Sequence, residues 1–307
     1  MYLHPHEGFD NSPLPARHIE VRPLAAAMGA EVCGVDAARL DDGQFAELEQ
    51  ALFRHKMIFL RGQNLDHAAH HAFSRRFGPF AEDAYTDGVP GFREVQPLVK
   101  EADDRSAHVF GSGWHTDSPF LAQPPAITIL RSVEVPPWGG DTMWANAALA
   151  YRTLGPATRR MVEPLRVHFS MREVIASARQ NAELRDNPVG RLVATRAMAE
   201  LPQGLVEKVQ GALHPLVRTH ARTGEKSLYI DPSYAIGIEG MSTAEAAPFM
   251  KMLTDHLVQA AFTCRLRWEP GMLVMWDNRL CVHQAFNDYM GQRREMYRTT
   301  VAGETPE

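Results

Sequence analysis

His115 and Asp117, separated by one residue in Trp114-His115-Thr116-Asp117, offer an imidazole nitrogen and a carboxylate oxygen, the donor types that hold a transition metal. On an extended strand, positions i and i+2 point to the same side, so the two groups would converge on one point. They would supply two-thirds of a 2-His-1-carboxylate triad, a ligand set that binds non-haem Fe(II) and leaves positions open on the metal. An H-x-D pair alone is equally compatible with a hydrogen-bonded surface pair. A third ligand must come from far along the chain. The candidate is His283, which follows the polar turn Trp276-Asp277-Asn278.

Two arginines lie beyond it. Arg294, Met296 and Arg298 alternate along the last apolar-rich segment, so two guanidinium groups would enter the same cavity. Arginine matches a carboxylate bidentately, which suits an anionic co-substrate or substrate. Arg293 falls on the opposite face and is expected at the surface. Other candidates have plainer readings. His67, His70 and His71 share a predicted helix without the glutamate of H-E-x-x-H and are expected to form an ordinary helix face. Cys281 is expected to be a small packing residue, Trp114, Trp144 and Trp276 to be core and wall, and Phe80, Tyr85 and Phe120 to line an entrance.

The elements that must position these groups are short strands interrupted by helices. Strands are expected at Ile19 to Leu24, Ala30 to Val35, Ile58 to Leu60 and Val95 to Val99. Helices are expected from Asp42 to His55 and from Asp66 to Phe77. A first β-rich block spans Trp114 to Asn146, with strands near Ala126 to Leu130 and Thr142 to Trp144. A second spans Leu213 to Val301, with strands near Pro215 to Thr219, Ser227 to Ile230, Phe262 to Trp268, Met272 to Trp276, Val282 to Ala285 and Glu295 to Val301. A helix from Thr243, read as its N-cap, to about Val258 interrupts it. Without regular β-α-β alternation, this order predicts an α+β fold with an antiparallel jelly-roll (double-stranded β-helix) core and helical insertions. Residues 1–17 are expected to be a flexible arm, and residues 18–307 a single domain with a mostly helical insertion over about 154–211.

Bulk properties exclude several classes. The 307 residues carry a net charge of -5 with no run of one sign, so no nucleic-acid or basic membrane footprint is present. No stretch reaches 18 uninterrupted apolar residues, so no membrane span is expected. Three scattered cysteines without a C-x-x-C pair argue against a disulfide framework or structural zinc, and the expected location is cytoplasmic.

Taken together, the motifs resemble the taurine dioxygenase (TauD) family of Fe(II)- and 2-oxoglutarate-dependent enzymes over nearly the whole chain. The resemblance rests on Phe73-Ser74-Arg75-Arg76-Phe77-Gly78, Trp114-His115-Thr116-Asp117-Ser118, Gly139-Gly140-Asp141-Thr142-Met143-Trp144, His214-Pro215-Leu216-Val217 and Trp276-Asp277-Asn278, closing with His283 through Arg298. It implies that His115, Asp117 and His283 bind the iron and that Thr142 and Arg294 bind 2-oxoglutarate, with Arg294 on its distal carboxylate. It also implies that Arg298 meets the anionic group of a small organic substrate, and that O2 is consumed as 2-oxoglutarate becomes succinate and CO2. The match departs at Pro79 to Tyr85, where taurine-using members carry a histidine, and at Gly111, often polar in them, so the resemblance does not single out taurine and the substrate is expected to be a small organic anion. Sulfonates, sulfates and phenoxyalkanoic acids are used within the wider family, so an aryloxyalkanoate etherase stays open as an alternative. So does a metal-binding jelly roll without turnover, and relatives leave room for a homo-oligomer. Arg172, Arg179 and Arg185 in the insertion are further candidate contacts.

Overall fold

The computed structural model describes residues 8–82, 88–104, 111–173, 176, 207 and 210–307. The chain runs β1 (Glu20–Pro23), β2 (Ala30–Cys33), α1 (Asp42–His55), β3 (Met57–Leu60), α2 (His67–Arg75), β4 (Gln96–Lys100), β5 (Ile127–Glu134) and β6 (Thr142–Asn146). It continues through α3 (Ala147–Thr153), α4 (Pro156–Val162), β7 (Arg166–Phe169), β8 (Ala212–Pro215), β9 (Val217–Thr219), β10 (Lys226–Leu228) and β11 (Ala235–Ile238). It closes with α5 (Thr243–Leu257), β12 (Thr263–Leu266), β13 (Leu273–Asp277), β14 (Cys281–Ala285) and β15 (Arg294–Val301). Mixed α and β content around a multi-stranded sheet matches the expected class.

Seven strands form the main sheet in the order β1-β2-β3-β13-β5-β15-β4, and β12-β6-β14 form a three-stranded one. Pairing in both is antiparallel except between β2 and β3. The central strand β13 is buried at every position because both of its faces are covered. Val274 and Trp276 pack into one apolar cluster, shared with Trp144, Leu266 and Val282 of the smaller sheet. Leu273 and Met275 point the other way, to Leu48 and Leu52 of α1 and Phe73 of α2. The two sheets meet through the rings of Trp144 on β6 and Trp276 on β13, 5.7 Å apart.

The helices start where local chemistry ends the extended chain. Asp41 and Gln44 form a reciprocal capping box on α1, and Asp66 accepts the Ala69 N–H at the start of α2. The N-cap of α5 is Ser242 rather than the expected Thr243. The Glu245 carboxylate accepts the Ser242 N–H and hydroxyl at 2.9 and 2.6 Å, which sets the boundary one residue earlier.

Two further segments add detail to the expected organisation. The described part of the N-terminal arm is pinned, not loose: Asn11 is buried, donates to Ala25 O and Gly29 O at 2.7 and 2.9 Å, and lies 2.7 Å from His55 Nδ1. Its amide supplies a donor to the Ala25 carbonyl and a second one to that of Gly29, which already accepts from Leu24 N. In the span read as a mostly helical insertion, the described residues include α4 and one strand, β7, which lies between β8 and β11. Val167 and Phe169 of that strand are buried, so alternation outweighed helix propensity there. Most of that span, including Arg179 and Arg185, lies outside the described residues, as do residues 1–7 of the arm. Among the described residues, no helix is long and apolar enough to cross a membrane.

Candidate metal centre

His115 and Asp117 do not sit on a regular strand. The segment makes a single bridge, His115 with His283, closed by N–H to carbonyl bonds of 2.9 and 2.8 Å, and then turns away at Ser118, whose φ of 46° is left-handed. Three distant groups hold the turn. Thr116 Oγ1 donates to Asn278 O at 2.9 Å, Thr116 N donates to the Asp231 carboxylate at 3.3 Å, and Asp117 accepts a short hydrogen bond from Thr128. Convergence of the pair therefore comes from tertiary anchoring, not from strand alternation.

His115, Asp117 and His283 are all buried, and their ligand atoms lie within 4.8 Å of one another. Among the described residues they are the one such group of potential metal ligands. Asp117 Oδ1 is 3.8 Å from His115 Nε2 and 4.0 Å from His283 Nε2, too far for hydrogen bonds. His115 Nδ1 lies 2.9 Å from Gly113 O, which makes it the protonated nitrogen and leaves the Nε2 lone pair facing Asp117. Nδ1 of His283 is buried with no partner among the described residues.

Electrostatics favours ligands ready for a cation. Burial lowers the pKa of His115, and burial with neighbouring His115 takes His283 down to about 3, so both rings are neutral at pH 7. Burial acts to raise Asp117, but the charge of Arg298 and the Thr128 hydrogen bond hold it below the usual carboxylate range. Two neutral imidazoles and one carboxylate, held apart in a buried space, fit a divalent transition metal with part of its coordination left open. Gly111 keeps that space clear: its φ is +83°, and a Cβ there would stand 3.3 Å from His115 Cε1.

Arg294 and Arg298 share the inner face of β15, and both are buried. Arg294 lies over the Trp268 ring at 5.8 Å, and its buried Nε has no hydrogen-bond partner among the described residues. Trp268 Nε1 donates to Thr142 Oγ1 at 2.9 Å. Because indole nitrogen is only a donor, Thr142 accepts there and keeps its own proton for another group. Arg298 Nε donates to Gln96 Oε1 at 2.8 Å, and its Nη1 is 3.7 Å from Asp117 Oδ1. Arg293 is on the surface as expected, paired with Glu101, Glu134 and Glu295.

Sequence reasoning missed Thr128, Asn278, Asp231, Gln96 and Trp268. Asp231 is fully buried, and burial pushes its carboxyl up to about 7 against hydrogen bonds from Tyr234, Thr116 and Ser233. Of the secondary candidates, Cys281 is buried and donates to Asp277 O at 3.2 Å, while its thiol is pushed well up by burial. His67 faces the buried Arg131, His71 faces Glu94 nearer the surface, and His70 is wholly buried beside Thr299. Phe120 is buried against Tyr234, whose ring is 6.4 Å from that of His115. Phe80 packs on His71. Tyr85 lies outside the described residues.

Comparison with known proteins gives a family and a set of relatives. The family described as "Taurine catabolism dioxygenase TauD, TfdA family" matches residues 20–300. An alpha-ketoglutarate-dependent sulfate ester dioxygenase of Pseudomonas putida is 33% identical over 95% of this chain and 92% of its own length. An (S)-phenoxypropionate/alpha-ketoglutarate-dioxygenase of Sphingobium herbicidovorans is 31% identical over 93% of this chain and 95% of its own. A crystal structure of a taurine dioxygenase from Burkholderia xenovorans superposes with a TM-score of 0.76 at 34% identity, covering 94% of this chain and 91% of that one.

Proposed function

The chain belongs to the TauD, TfdA family of dioxygenases, and on that premise we propose that it is an Fe(II)- and 2-oxoglutarate-dependent dioxygenase hydroxylating a small organic anion. The substrate class is a sulfonate, sulfate ester or carboxylate, in keeping with relatives named for sulfate esters and for phenoxypropionate. The observation that carries the reading is the convergence of His115, Asp117 and His283 within 4.8 Å, with neutral rings and an ionised carboxylate. When bound, iron and 2-oxoglutarate supply the oxidising power: O2 gives one oxygen atom to the substrate and one to succinate as CO2 is released.

The protein's own groups bind and orient. His115 Nε2, Asp117 Oδ1 and His283 Nε2 are the metal ligands. Arg294 anchors the distal carboxylate of 2-oxoglutarate, a role supported by its burial on Trp268 and its orphaned Nε. Thr142 donates its unused proton to the same carboxylate. Arg298, fixed by Gln96 close to Asp117, holds the anionic end of the substrate near the metal. The surrounding apolar walls, Trp276 and Phe120 among them, keep water away from the reacting carbon. Where that carbon carries the sulfur or oxygen of the anionic group, hydroxylation leads to cleavage of that bond; an etherase acting on an aryloxyalkanoate is the variant that the phenoxypropionate relative favours.

We read residues 18–307 as one domain on a double-stranded β-helix, supported by the two sheets packed through Trp144 and Trp276. A cytoplasmic location, with three free cysteines, and a homo-oligomeric assembly belong to the same reading. The test is a succinate-release screen over sulfonates, sulfate esters and aryloxyalkanoates with Fe(II), O2 and 2-oxoglutarate. One class should stimulate succinate formation well above the substrate-free rate. No 2-oxoglutarate-dependent succinate under any condition would refute the reading.

A further inference from the structure

The turn Trp276-Asp277-Asn278 has no part in ligand supply, yet it feeds a one-directional chain of hydrogen bonds into the metal centre. Trp276 Nε1 donates to Asn278 Oδ1 at 3.0 Å. An indole nitrogen can only donate, so this contact fixes which end of the Asn278 amide is oxygen. The amide nitrogen then faces Thr128 Oγ1 at 2.8 Å and, being only a donor, makes that hydroxyl the acceptor. Thr128 is left with one proton, and it goes to Asp117 Oδ2. All four residues are buried; Thr128 has no exposed surface, so water cannot substitute for any link. Asn278 is also the hub for the backbone, since its N–H donates to Ala126 O and its carbonyl accepts from Thr116 Oγ1.

We propose that Thr128 is a positioning residue that caps Asp117 Oδ2 and presents Oδ1 alone to the metal. The inference rests on the metal-site reading above. Its chemical consequence concerns the open positions. A chelating co-substrate and O2 need three between them, and a carboxylate gripping the ion through both oxygens would take one of these. With Oδ2 engaged by Thr128, the carboxylate is held in one orientation and Oδ1 faces the Nε2 atoms of both histidines. Partners of this kind orient the ligand and are felt in metal affinity as well as in rate.

Thr128→Val is the informative change, because it keeps the β-branched shape on β5 and deletes only the hydroxyl. Anaerobic titration with Co(II), followed by visible absorption, reads the site without turnover. The dissociation constant for Co(II) should rise roughly 10- to 100-fold in Thr128→Val, with altered visible bands, as for loss of other ligand-orienting partners. Thr128→Ser, which restores the donor, should return the affinity to within about threefold of wild type on the same scale. Wild-type affinity and bands in Thr128→Val would overturn the proposal. Equal losses in Thr128→Ser and Thr128→Val would also overturn it, by tying the effect to packing. Thr128→Ala carries the same test if the valine variant does not fold. Wild-type protein that takes up no Co(II) would remove the metal site itself, an outcome distinct from a variant that matches a binding wild type.

Discussion

Two clusters of histidine, carboxylate and arginine touch the Trp276–Arg279 turn, and their chemistry is opposite. Around Asp277, every acceptor is used. Its Oδ1 takes the Arg279 N–H and Nε at 3.0 and 2.8 Å, and its Oδ2 takes Arg279 Nη2 and His220 Nε2 at 2.6 and 3.0 Å. Glu304 completes the cluster with Arg279 and Arg218. Burial acts to raise Asp277, but Arg279 and His220 hold it far below the usual carboxylate range. Around Asp117, one oxygen is capped by Thr128 while the other stands 3.7 to 4.0 Å from Arg298, His115 and His283. The same residue types are thus closed on themselves in one cluster and held apart in the other. Closure makes a strut; separation makes a site that needs a ligand to complete it.

The sharpest way to break this comparison is to delete each carboxylate in turn. Asp117→Ala should abolish 2-oxoglutarate-dependent succinate formation while leaving the metal-free protein no less stable, because a carboxylate short of partners has been removed. Asp277→Ala should do the reverse, costing about 3–5 kcal/mol of unfolding free energy by taking from the buried Arg279 the nearer of its two carboxylates, with Co(II) affinity preserved in the folded fraction. Urea unfolding and metal titration of both variants read the two effects side by side. Equal destabilisation by both would erase the distinction.

Next in size is the division of labour along β15. Arg294→Ala should raise the 2-oxoglutarate concentration needed for half-maximal rate roughly 10- to 100-fold, in line with about 1.5–3 kcal/mol for a charge-assisted hydrogen bond. Arg298→Ala should act mainly on the primary substrate. Steady-state kinetics with each substrate varied separately would show it, and a single ligand affected by both changes would contradict the assignment.

A further test is in pH. Burial keeps His55, His70 and His283 neutral in the folded protein down to about 4, 3 and 3, whereas they protonate near 6.5 once unfolded. The unfolded chain then binds more protons, so stability is complete above pH 6.5 and is lost as pH falls towards 4. The slope approaches about 1.4 kcal/mol per pH unit for each histidine. Denaturation curves of the metal-free protein between pH 7.5 and 4.5 should show this fall, and His55→Gln should make it shallower.

The cluster that could hold a metal was legible in sequence because residue type and order carry it: H-x-D, then a distant histidine behind a polar turn. Strand positions were legible where both faces are buried, as in Ile58-Phe59-Leu60 and Met272 to Trp276, since continuous apolar runs announce themselves. The strand Arg166–Phe169 was not, because packing against neighbours decided it over local propensity, and the alanine-rich α3 was not, because Ala147 to Tyr151 are all buried and leave no amphipathic period to read. The groups that hydrogen-bond to Thr116 and Asp117 were hidden for another reason. Thr128, Asn278 and Asp231 reach Asp117 and Thr116 from other parts of the chain, and distance in sequence conceals such contacts. One trace was available: a threonine in the apolar run Ala126-Ile127-Thr128-Ile129-Leu130 is a buried hydroxyl that must find a partner.

The most direct test of the open cluster is an anaerobic titration of the Fe(II)-loaded protein with 2-oxoglutarate, followed by visible absorption. Saturable growth of a weak charge-transfer band is expected for wild type, none for Asp117→Ala, and a band needing much more 2-oxoglutarate for Arg294→Ala. Wild-type protein that binds Fe(II) yet gives no band with 2-oxoglutarate would contradict the account.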